Sequence, residues 1–168
     1  MSIKDKGRVS GHYSVRCFGP DGKLKWEDGF DNIIVTEGLN HILDSTLGGA
    51  SQVTAWYVGL LDADAAPAAG WGATEVGGDD FVDYAEGTLP VWTPDGGAAA
   101  GSVSNSSSPA SFAINQDSSV VGGAFLISTS AKATPAGTLY SAGTFSSDKN
   151  VDDGDTLQVT ATFTQADA

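Results

Sequence analysis

His12, His41 and Cys17 are the only imidazoles and the only thiol in this sequence, and they limit the chemistry it can perform. Nucleophilic catalysis needs a nucleophile beside a base, most often a histidine. Both histidines fall within the first 44 residues, His12 in a segment of strand periodicity and His41 in one of helical periodicity. Each position suits a surface or packing role better than that of a base. Cys17 alternates in step with Tyr13 and Val15, which marks it as a buried structural thiol. Two histidines and one cysteine cannot close a four-ligand transition-metal site.

Carboxylates are abundant, with 21 Asp and Glu. A glycosidase needs two of them held at a set separation in a cleft, and nothing in the sequence selects a pair. Asp62 with Asp64, Asp79 with Asp80 and Asp83, and Asp152 with Asp153 and Asp155 form oxygen-rich groups that calcium could use. None has the spacing of a calcium loop with a closing glutamate, and turn residues at strand ends are the simpler account. Gly48-Gly49, Gly77-Gly78, Gly96-Gly97 and Gly122-Gly123 lack the following Lys-Ser/Thr of a phosphate loop. The expectation is a non-enzymatic protein with no catalytic residue, no metal and no cofactor.

Charge is unevenly spread. Residues 1–44 carry six basic and seven acidic side chains, whereas the remainder carries two basic and fourteen acidic ones within a net charge of −13. Such a body stays soluble at high concentration and repels nucleic acid. Lys4, Lys6 and Arg8 stand together near the start, where an acidic partner could be met. At 168 residues the chain fits one domain with an arm and needs no disulfide or metal to fold. No run approaches the roughly 20 apolar residues of a membrane span, and the first residues have no hydrophobic signal core. A soluble protein made in the cytoplasm, with no membrane partner, is expected.

The elements that would position these residues are mostly strands. Residues 1–9 have no periodicity and are read as an arm, with a single domain over 10–168. Tyr13, Val15 and Cys17 alternate with polar neighbours, Gly19-Pro20-Asp21-Gly22 makes a turn, and Leu24 and Trp26 resume the alternation. The period then changes: Leu39, Ile42, Leu43 and Leu47 recur at helical spacing, predicting one short helix over about residues 37–47 that plugs or flanks a sheet. Further strands are predicted at 54–61, 111–115, 120–128, 138–145 and 156–164, separated by long Gly/Ala/Ser-rich loops near 62–80 and 94–109. This pattern argues for a mainly β protein, an antiparallel β-sandwich of jelly-roll-like form. Long glycine-rich loops in a small domain are binding loops or segments that order on assembly.

Aromatic residues are the remaining candidates. Trp26 and Trp56 lie on predicted strands and belong to the core, whereas Trp71 and Trp92 lie in or beside the loops. Those two could stack on sugar rings or anchor a protein interface, or pack the loops onto their own sheet.

LKWEDGFDNIIVTEGLNHILDSTLGG (24–49) and AWYVGLLDADAAPAAGW (55–71) resemble a family of tailed-bacteriophage virion structural proteins. The likeness continues through DYAEGTLPVWTP (83–94), VGGAFLIST (121–129), GTLYSAGTFSS (137–147) and GDTLQVTATFT (154–164), and departs around Gly72 to Asp80. The resemblance implies a virion component on the capsid exterior: a decoration or cement protein that binds the major capsid protein as a homo-dimer or homo-trimer. Lys4, Lys6 and Arg8 of the arm, with Trp71 and Trp92, are then the expected contact residues. The competing expectations are a tail-associated adhesin that binds host glycans and, third, a polysaccharide hydrolase.

Overall fold

The alternation of Tyr13, Val15 and Cys17 becomes one face of a long strand, β1 (Gly7–Phe18), in a computed structural model that describes residues 7–133 and 136–167. The turn at 19–22 closes as expected: the Gly22 N–H donates to the Gly19 carbonyl at 2.8 Å, and Gly22 takes φ +75°. β2 (Leu24–Ile34) returns antiparallel to β1, with Tyr13 opposite Phe30 and Cys17 opposite Trp26. Then come β3 (Trp56–Asp62), β4 (Asp80–Phe81), β5 (Val91–Trp92), β6 (Ser102–Ser104), β7 (Ala110–Ala113), β8 (Ser119–Ile127), β9 (Leu139–Val151) and β10 (Thr156–Asp167).

Every pairing is antiparallel, in the order β4-β3-β8-β9-β2-β1-β10-β6, with β5 also on β3 and β7 also on β10. The path folds back into two layers. Tyr13 of β1 reaches β9, where its hydroxyl shares a 2.8 Å hydrogen bond with Ser141, and Phe163 of β10 meets Tyr140 of β9 edge-on at 5.0 Å. Among the described strand pairings it is the end of β2 that passes from one layer to the other, Ile33 and Ile34 pairing with Ala142 and Ser141. The fold is thus mainly β, antiparallel and sandwich-like, and its strand order is compatible with a jelly roll.

Tyr13, Val15, Phe112, Leu157 and Val159 from one layer and Val58, Leu60, Phe125 and Leu139 from the other are fully or almost fully buried. Each such burial stabilises by about 1.5–3 kcal/mol before chain entropy is counted. β8 is buried on nearly every residue, the mark of a strand covered on both faces. Ala65, Ala73 and Val76, from the segment after β3, belong to the same core.

Three sequence expectations are corrected. Residues 7–9 of the expected arm belong to the sheet: Gly7, Arg8 and Val9 pair with Asp167, Ala166 and Gln165 of β10, because strand pairing outweighs their lack of periodicity. Lys4 and Lys6 lie outside the described residues. The loop at 62–80 holds a short helix, α2 (Ala73–Gly78), and the loop at 94–109 holds β6. The helix α1 (Thr36–Leu43) forms as expected and continues in a wider π turn over Asp44–Gly48, ended by Gly49 at φ +76°. It flanks the sheet through Gly38, where any β-carbon would overlap the Tyr140 carbonyl. Its leucines, however, do not plug anything.

Candidate functional site

Charge placement decides which surfaces remain available. Beyond Ser45 the two cations are both engaged. Lys132 Nζ donates to the carbonyls of Val82 (3.1 Å), Tyr84 (3.1 Å) and Glu86 (3.0 Å). Lys149 pairs with Asp28 at 2.6 Å and lies 5.5 Å from the Phe145 ring centre. Lys25 answers the acidic turn before β10, reaching Asp155 at 2.5 Å and Asp152 at 3.3 Å. The Ser118 N–H and then Lys25 hold Asp152 below the usual carboxylate range. This turn is an ion-paired strand connection.

Cys17 faces the same buried Asp155, with Sγ 3.8 Å from Oδ2. Burial and then the Asp155 charge push the thiol up to about 12, so almost no thiolate exists near neutral pH. The structural reading of this cysteine fits its surroundings.

The acids after β3 converge more than the sequence suggested. Asp62 donates its N–H to the Asp79 carbonyl at 2.9 Å, and Leu61 pairs with Asp80. Asp80 is 8% exposed; its Oδ2 accepts the Ala133 N–H at 2.7 Å, and Oδ1 has no partner among the described residues. Burial pushes its carboxyl up to about 6, against the pull of the Ala133 N–H and Lys132. Asp83 is turned aside to accept the Ser119 hydroxyl at 2.7 Å. Among the described residues no three His, Cys, Asp or Glu side chains are arranged to hold a metal ion.

Arg8 is exposed on β1 opposite Ala166. Trp92 is not on a free loop. It forms β5, packs edge-on against Phe163 at 5.9 Å, and donates its indole N–H to the Ala161 carbonyl at 3.3 Å. With Trp56, Val103, Leu126, Tyr140 and Phe163 it lines a partly open cavity of about 160 Å³. Its role is to join the two layers.

Trp71 lies elsewhere. Its N–H donates to the Ala68 carbonyl at 3.0 Å, and the Thr36 N–H ties the neighbouring Ala69 carbonyl to the start of α1 at 2.8 Å. Trp71 is half-buried, packed in part against the core, and lines an open cleft of about 710 Å³ together with Glu37, Asn40, His41, Asp44, Glu75 and Thr138. The sequence flagged the tryptophan but not its company, because 34 positions separate Glu37 from Trp71.

The second surface is on α1. Leu39, Leu43 and Leu47 are 42%, 57% and 84% exposed, an apolar stripe at helical spacing turned to solvent. Their period was legible; their direction was not.

No protein-family model matches this chain, and a comparison with characterised proteins finds no significant match.

Proposed function

We propose that this chain is a tailed-phage virion structural protein that binds the outside of the capsid shell and stabilises it. The observation that carries this reading is the leucine stripe of α1, an unpaired apolar surface on a strongly acidic body. The motif resemblance over residues 24–164 supports it independently. The partner is the major capsid protein, and neither nucleic acid nor membrane is required.

Magnitudes favour an oligomer. Burying what the three leucines still expose gives roughly 3–5 kcal/mol gross. The freedom lost on association costs about 4–15 kcal/mol, so one stripe alone holds weakly. A dimer or trimer engages several stripes at once and gains by effective concentration. Binding only the assembled shell then stabilises that shell by mass action. The basic residues Lys4, Lys6 and Arg8 would add contacts to acidic capsid surface.

Imaging purified virions of the phage that encodes the chain, with symmetry imposed, tests the reading. Density for this fold in many copies over the shell, with α1 at the contact, is the expected result. A few copies on the tail would replace decoration with adhesion, and absence from the particle would overturn both.

A further inference from the structure

We infer that the cleft beside Trp71 is a binding site for an uncharged saccharide. It is a shallow depression of about 710 Å³, widely open to solvent, which suits a ligand bound on one face. An indole offers a flat apolar face that matches the C–H face of a sugar ring. Around it stand groups that match the ring's hydroxyls: the Glu37 and Glu75 carboxylates, the Asn40 amide and the Thr138 hydroxyl.

Both glutamates are held in place by the backbone. Glu37 Oε2 accepts the Leu139 N–H at 2.9 Å, and Glu75 Oε2 accepts the Gly72 N–H at 2.8 Å. One oxygen of each glutamate is thereby anchored to the main chain. That Gly72 hydrogen bond also holds Glu75 below the usual carboxylate range, so it remains ionised. Gly72 matters for access as well. A β-carbon there would come within 3.2 Å of Glu37 Oε2 and 3.7 Å of Glu75 Oε2, narrowing the gap between the two carboxylates.

Among the described residues the lining holds three carboxylates, Glu37, Asp44 and Glu75, one imidazole, His41, and no lysine or arginine, and this charge balance sets the ligand class. Phosphorylated, sulfated or acidic sugars would meet an excess of carboxylates, whereas a neutral sugar donates hydroxyl hydrogens to them. This inference does not rest on the capsid reading, and it is tested on the isolated protein.

The test is a titration followed by amide NMR in EDTA. The probes are glucose, galactose, rhamnose, N-acetylglucosamine, maltose and chitobiose, with glucosamine and arginine amide as cationic controls, up to tens of millimolar. At least one should shift the amide signals of Glu37, Asn40 and Glu75, with Trp71→Ala weakening it at least tenfold. Trp71 is half-buried, so Asn40→Ala, at an exposed helical position, serves as the second variant and should weaken binding severalfold with an unchanged melting temperature. No response to any probe, or binding indifferent to both variants, overturns the inference. A response confined to glucosamine or to the amide of arginine would make the site cationic in preference, and would overturn it too.

Discussion

The ammonium of Lys132 lies 3.7 Å above the centre of the Tyr84 ring while it donates to three main-chain carbonyls around that residue. Tyr84 is buried and its ring meets Phe112 edge-on at 5.0 Å, so one cation fastens the irregular 82–86 segment to the core. Hydrogen bonds to charged groups are worth about 1.5–3 kcal/mol each when intact, but this lysine is partly wet. Lys132→Met keeps the apolar stem and removes the donors. It should cost about 2 kcal/mol in chemical denaturation, and Lys132→Arg should recover little, since a planar fork does not reach three converging carbonyls.

Asp80 makes an opposite electrostatic contribution. Its carboxyl titrates at about 6 in the folded chain against 3.8 in the reference state, so the folded state holds the proton more tightly. From this group stability rises as pH falls from 7 through 6 and levels off below 4. Asp28 acts in reverse: Lys149 holds it below its usual range, and its contribution disappears on acidification. The comparison of wild type with Asp80→Asn isolates the first effect. The variant keeps an acceptor for the Ala133 N–H and should be more stable at pH 7, by at most about 2–3 kcal/mol. That margin should vanish toward pH 4 in parallel denaturation curves.

Cys17 should be silent to thiol reagents. Native protein should release no chromophore from a disulfide reagent over an hour at pH 8, and one equivalent per chain in guanidinium, because both access and thiolate are missing. Rapid labelling of native protein would contradict the packing at Asp155.

Gly38 seats α1 on β9. Gly38→Ala places a methyl group against the Tyr140 carbonyl, a main-chain atom that cannot swing away. Overpacking of this kind costs about 1–3 kcal/mol. The melting temperature should fall, and with it the helical signal in circular dichroism.

The leucine stripe makes a contrasting prediction. Leu43→Gln with Leu47→Gln should leave stability within about 0.5 kcal/mol, as surface changes do, yet remove the protein from particles in a sedimentation assay. Unchanged occupancy would exclude α1 as the contact.

Much of the sandwich was legible in alternation. Leu157, Val159, Ala161 and Phe163 are the buried face of β10 as their period of two demands. What escaped had no local signal. The sequence ATEVGG has too few apolar positions to show a helical period, and α2 exists because Ala73 and Val76 find a core to enter. β6 hides in a Gly/Ala/Ser stretch and is held by pairing with Thr162 to Thr164. A helical period shows that α1 is two-sided, but which side is covered depends on Gly38, the one position that lets β9 approach. The cleft was half legible: Trp71 stood out, while Glu37 joins it only through the fold.

Asn105 closes a gap that the strand order leaves open. β6 pairs with β10 at Thr162 to Thr164 and β7 at Thr156 to Val159, leaving Thr160 and Ala161 between them. The Asn105 amide fits there, accepting the Ala161 N–H at 2.7 Å and donating to the Val159 carbonyl at 3.2 Å. One side chain thus imitates a missing peptide unit. An uncovered edge at that point would be a template for a neighbour's strand, and crowded copies could polymerise through it. With Asn105 in place, β10 offers a neighbour's strand no free main-chain groups at Val159 and Ala161.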